Sequence, residues 1–264
     1  MKTKIKLLLI LCFVLNSFNS FSQKYYISLF GGYGFSTAST TLGGFVDQNS
    51  NSAKLVKGSY GNGIQAGGIF GYNFTENISG DIALSNLFGS NLTTNNQLFY
   101  NGNHQAYFTS NYKSVNSGNV FRIIPSIKLT IGNGVFKPYA KFGIVIGLAN
   151  KIVSEESVTL QSADIKRTTE YSGGSSFGFS SALGSTYKIN ETISVLCEIA
   201  LIAQSYAPAE SKVVRWTENG VDKLPSVTIS DKQTQYVDNV PFPFDPLATR
   251  NSDNQPRQEL KLYG

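Results

Sequence analysis

Histidine and cysteine are nearly missing from this chain, and with them most enzyme and metal chemistry. The single histidine is His104, and of the two cysteines Cys12 lies in an apolar leader, leaving Cys197 alone after it. One cysteine can form neither an internal disulfide nor a multi-cysteine zinc site. Charge is also sparse, at 15% of residues, and beyond the leader no apolar run reaches the roughly 18 residues that a spanning helix needs. Two further classes fail on spacing. Gly61-Asn62-Gly63-Ile64-Gln65-Ala66-Gly67 lacks the dinucleotide fingerprint and opens a strand instead of a helix. No loop carries the D-x-[DN]-x-[DN]-G calcium pattern, so Glu155, Glu156 and Asp164 offer weak cation binding at most. No cofactor and no metal are expected.

What is present begins with a secretory leader. Lys2, Lys4 and Lys6 form a basic start, Ile5 to Leu15 an apolar centre and Ser20-Phe21-Ser22 a small-x-small cleavage site, so residues 1–22 read as a signal peptide and 23–264 as the mature domain. Removing those three lysines lowers the formal charge from +5 to +2. That balance gives no case for a nucleic-acid partner.

The mature chain alternates. In Phe136 to Leu148 the even positions are apolar, while the odd ones mix Lys137, Tyr139 and Lys141 with glycine and Val145. A period of two is a strand, and its length suits a tilted bilayer crossing, which takes roughly 9–11 residues. Six more stretches share the design: Lys24–Ser36, Gly63–Phe74, Ile78–Leu87, Asn119–Ile131, Ser175–Ile189 and Thr192–Tyr206. Tight turns at 75–77, 132–134 and 190–191 alternate with long loops at 37–60, 88–118 and 150–174, and a long external segment, 207–256, follows. Such asymmetry, short on the periplasmic side and long outside, belongs to outer-membrane barrels.

The seven strands with room for one more resemble the small eight-stranded outer-membrane barrels of the OmpA/OmpX type. The Gly-rich style is similar to the outer membrane protein beta-barrel domain families. The resemblance covers about Lys24 to Tyr206 and rests on pattern and topology. It implies an all-β, antiparallel up-and-down transmembrane barrel of a Gram-negative cell envelope, with outer-membrane lipid and the barrel assembly machinery as partners. Such families end in a full strand closed by Phe or Trp, whereas Gln258 to Gly264 alternates correctly but is short. The eighth strand is therefore expected to be truncated or incomplete. A fragment cut within it is the favoured reading, because an open barrel leaves backbone groups unpaired in lipid.

The inward faces carry Asp81, Arg122, Lys128, Lys137, Lys141 and Glu198. Heights counted from the tight turns match Asp81 with Lys128, and Lys141 with Glu198 across a strand of small residues. A lumen charge network of Asp81, Arg122, Lys128, Lys141 and Glu198 is expected, with Arg122 and Lys137 reached by water near a rim. An eight-strand interior is just wide enough for side chains, so the network reads as plugging more than as a porin-like ion path. Outside, Tyr107, Tyr112, Trp216 and Phe242 are the candidate loop contacts for an unknown external ligand, and Asn219-Gly220 signals a hairpin extending the wall beyond the membrane. The expected function is a non-enzymatic barrel acting through its loops in binding, adhesion or envelope integrity, with no catalytic residue. The alternatives are a barrel enzyme acting on outer-membrane lipid or peptide through His104, and a secreted β-sandwich adhesin.

Overall fold

The structure, a computed structural model, describes residues 24–36, 40–47, 52–58, 61–100, 106–159, 163–240 and 254–261, with side chains left out at 40–47, 52–58, 95–100 and 106–112. The leader lies outside the described residues, as do His104 and Phe242.

Seven strands pair in up-and-down order: β1 (Tyr25–Gly34), β4 (Gly63–Asn73), β5 (Ile78–Gly89), β7 (Ala106–Thr130), β8 (Phe136–Thr159), β10 (Ser176–Lys188) and β11 (Ser194–Tyr206). Every ladder among them is antiparallel. The seven alternating stretches therefore all form strands. Their even pleat leaves one face convex and apolar. Among the described residues, every exposed large hydrophobic other than Val214, Val221 and Leu260 lies on these strands or their flanks. The opposite face is concave and holds the core of Ile69, Ala83, Ile124 and Val145, against which Tyr26, Phe30 and Ile202 pack. That cluster draws on both β1 and β11, so the sheet curls until its ends share one interior.

The curl is not closed by hydrogen bonds. Among the described residues β1 pairs only with β4 and β11 only with β10, so the structure holds seven strands of a wall and not the eight expected. Gln258 to Gly264 does not fill the gap. Its described part belongs to β15 (Arg257–Leu260), which runs parallel to β14 (Gln233–Val237) in another part of the sheet. Parallel docking beside β14 satisfies one edge of this short segment at the opposite end of the strand order from β1.

Two long strands fork the sheet. β7 has 25 residues and β8 has 24, more than twice the roughly 9–11 needed to cross a bilayer. The lower half of β8 pairs with β10 and its upper half with β9 (Asp164–Ser172). Beyond β9 the sheet continues through β12 (Glu210–Glu218) to β14 and β15. β6 (Leu92–Tyr100) pairs with the upper half of β7, and β2 (Thr40–Asp47) with β3 (Ser52–Gly58) forms a separate hairpin. The stretches 37–60, 88–118 and 150–174, expected as loops, are thus largely strand. They lack alternation because backbone pairing needs no such pattern where neither face has to be uniformly apolar.

A bulge marks the change. Asn119 pairs with Lys151 and Phe121 with Leu148, so Ala149 and Asn150 together oppose Val120, and Ala149 takes a left-handed φ of 49°. An extra residue here bends the wall where β8 exchanges one neighbour for another. The turns at the far end are short, as expected. Thr75 Oγ1 accepts from Asn77 and Ile78, and Asn190 Oδ1 accepts from Thr192 and Ile193. In the turn between β7 and β8 the positive φ falls on Gly132, at 81°. The Asn219-Gly220 hairpin forms with φ values of 50° and 79°, the doubly left-handed turn that asparagine and glycine favour. Its second arm, β13 (Val221–Asp222), is only two residues long. Pro225 in a 3-10 turn (Leu224–Ser226) ends the extended run, and α1 (Ile229–Lys232), capped by Thr228, leads into β14.

Candidate functional site: the concave face

Next to the short turns the concave face gathers two lysines, two carboxylates and two tyrosines. Lys128 and Lys141 sit directly opposite each other on β7 and β8, a like-charge pair that repels unless each finds a counter-charge. Lys141 finds one directly and Lys128 only through a tyrosine, on opposite sides. Lys141 Nζ lies 2.7 Å from Glu198 Oε2, and the Tyr139 hydroxyl donates to the same oxygen at 2.9 Å. Lys128 donates to the Tyr26 hydroxyl at 2.5 Å, with its ammonium 3.9 Å above the Tyr26 ring. The Tyr26 hydroxyl in turn donates to Asp81. The structure thus brings Lys141 and Glu198 into direct contact, whereas Asp81 and Lys128 communicate through a tyrosine that bridges between them.

Glycines make the network possible. A Cβ at Gly71 would fall 2.1 Å from the Tyr26 ring, and one at Gly184 would fall 2.5 Å from the Tyr139 hydroxyl. Gly184 belongs to β10, the strand that Lys141 and Tyr139 must cross to reach Glu198 on β11. Tyr26 and Tyr139 are missed when only formal charges are sought. Their inward parity was the available signal.

Farther from the turns the apolar cluster takes over: Ile69 and Ala83 from β4 and β5, Ile124 and Val145 from β7 and β8, then Phe30 and Ile202. Val145 has no exposed surface. These inward residues interrupt the polar alternation of their strands, and the interruptions line up at one height. A Cβ at Gly67 would approach the Phe30 ring to 2.8 Å, so this layer too is fitted around a glycine.

Above the apolar cluster lies Arg122. It is buried, at 7% exposure, and not reached by water at a rim as expected. The interruption of β8 by its bulge, and the small residues opposite, let polar side chains fold over it. Its Nε donates to Gln204 Oε1 at 2.8 Å, and Gln204 Nε2 donates to Ser176 Oγ at 2.7 Å. Lys137, nearer the turns, is half-buried.

On the sheet beyond the fork, Arg167 pairs with Glu156 at 2.6 Å and Lys166 with Asp164 at 3.2 Å. Two of the three carboxylates considered for a weak cation are therefore already neutralised. Trp216 is half-buried opposite Arg167 on the β9–β12 ladder. Tyr107 and Tyr112 are placed on the upper half of β7 by their backbone alone. Cys197 is exposed on the convex face.

The family model of the outer membrane protein beta-barrel domain matches residues 5–219, a span that takes in all seven curled strands and β12. No curated protein and no solved structure matches the chain.

Proposed function

The chain belongs to the outer membrane protein beta-barrel domain family, and from that premise we propose that it is a non-enzymatic barrel with a plugged lumen. It acts through its external strands and loops in binding, adhesion or envelope integrity. The observation that carries this reading is the doubled length of β7 and β8, which builds a platform outside the bilayer on a wall whose interior is filled. Charges paired through Tyr26 and Glu198, under an apolar layer, support the plugged reading. The leader directs secretion, and a Gram-negative envelope is the compartment.

The experiment replaces residues 210–240 by a short flexible linker and confirms folding by the heat-modifiable mobility of the barrel on SDS gels. Cells carrying the variant should lose surface adhesion or detergent resistance relative to the full chain. Unchanged phenotypes in a folded variant would overturn the external platform, and steady conductance of the full chain in planar bilayers would overturn the plug.

The wall is completed by an eighth strand. Six antiparallel steps separate β1 from β11, so the two edges run the same way and a single strand antiparallel to both closes the curl. In lipid, open edges would leave N–H and C=O groups unsatisfied at several kcal/mol each. Amide exchange of β1 and β11 in detergent should be as slow as that of β5. Exchange several orders of magnitude faster at the two edges would rule closure out.

A further inference from the structure

Near the turns Asp81 and Glu198 answer Lys128 and Lys141, while farther out Arg122 is buried with no carboxylate beside it among the described residues. Asp81 and Glu198 are engaged by Tyr26 and by Lys141 with Tyr139. Arg122 stands four residues beyond Ser126, the cross-strand partner of Asp81, about 13 Å along the strand. A guanidinium carries five N–H donors, yet among the described residues the only acceptor it meets is Gln204. A buried charge without a counter-charge is costly.

The surroundings of Arg122 are built rather than incidental. Its ladder partners are Ser85 on β5 and Gly147 on β8, and Gly147 pairs in turn with Ser176 on β10. A Cβ at Gly147 would fall 2.0 Å from Ser176 Oγ and 2.3 Å from Gln204 Nε2. Only glycine therefore lets Gln204 reach from β11 to Arg122. Asn150, 3% exposed, donates from Nδ2 to Ser176 Oγ at 3.0 Å, while its Oδ1 has no partner among the described residues. That oxygen would lie 3.1 Å from the same Gly147 Cβ. A buried cation short of acceptors and a buried carbonyl short of a donor thus converge on one glycine.

We propose that Arg122, Gln204, Ser176 and Asn150 form a binding site for a small oxyanion that carries an O–H group. The anion answers Arg122 and the hydroxyl answers Asn150 Oδ1. Protonated phosphate has both features, and sulfate has only the first.

The test uses the folded full chain in detergent micelles, following the Arg122 Nε–H resonance at about pH 6 while inorganic phosphate or sulfate is added at constant ionic strength. Phosphate should give a saturable shift, with sulfate several-fold weaker. Arg122→Gln, followed through the Asn150 side-chain amide, should weaken phosphate about tenfold or more, the effect of a lost charge-assisted hydrogen bond. Asn150→Leu, which leaves the arginine in place should Arg122→Gln not fold, should erase the preference for phosphate over sulfate. Absence of a saturable shift, equal affinity for the two anions in the unmodified chain, or phosphate binding undiminished in Arg122→Gln would overturn the proposal.

Discussion

Glu198→Ala is expected to destabilise the folded barrel by about 3–5 kcal/mol, the range for removing one partner of a buried ion pair. The carboxylate accepts from both Lys141 and Tyr139, and Lys141 is buried, with 11% of its side chain exposed. Without Glu198 the ammonium keeps its burial and its position opposite Lys128, so it loses its counter-charge and retains its repulsion. Urea unfolding in lipid vesicles would measure the change. The double variant Lys141→Met/Glu198→Leu separates pairing from packing. It removes both charges and should recover most of the loss, because replacing a whole buried pair by apolar side chains is often neutral or better. A loss below about 1 kcal/mol for Glu198→Ala would mean that water screens the pair as it screens surface ion pairs, and the filled lumen would lose its main support.

The contrast with the external ion pairs makes the point physical. Arg167–Glu156 is as short as Lys141–Glu198, at 2.6 Å against 2.7 Å. The two carboxylates are similarly half-buried, at 23% and 20% exposure, but the Arg167 side chain is 41% exposed against 11% for Lys141, and a pair with an exposed cation contributes roughly 0–1 kcal/mol. Burial, not distance, decides which pair holds the fold.

Alternation made the membrane half of this protein legible, since a strand between lipid and a lumen must be apolar on one face. All seven stretches from Lys24–Ser36 to Thr192–Tyr206 became strands, and the parity of Lys141 and Glu198 placed them on one interior. The same rule failed where its cause ended. Above the bulge at Ala149–Asn150 the alternation stops, and β6, β9 and the upper halves of β7 and β8 look like polar loops in sequence although they pair as strands. Inside the lumen, reading only formal charge hid Tyr26 and Tyr139. It likewise hid the apolar layer that Ile202 helps to build. Sequence places Arg122 at a wet rim because height along a strand is readable there, whereas the folding of Gln204 across Gly147 is not.

The boundary between the two halves can be located by charge. Phe142 lies on the convex face midway along the lower part of β8, between Ile127 and Ser181 on the flanking strands. Phe142→Arg should cost about 2–4 kcal/mol, the price of an arginine at the midplane of a barrel's lipid face, and Phe136→Arg near the turns about 0–1 kcal/mol. Val214→Arg, on β12 beyond the fork, exchanges one exposed side chain for another in water and should stay within about 0.5 kcal/mol. Measured by reversible unfolding in vesicles, the three define a depth profile. If Phe142→Arg cost no more than Val214→Arg, the convex face would not meet lipid, and the apolar side chains from Tyr25 to Leu201 would need another cover. If Leu148→Arg cost as little as Phe136→Arg, the upper edge of the hydrocarbon would fall at the bulge. One inserted residue would then mark the place where a membrane wall becomes an external platform.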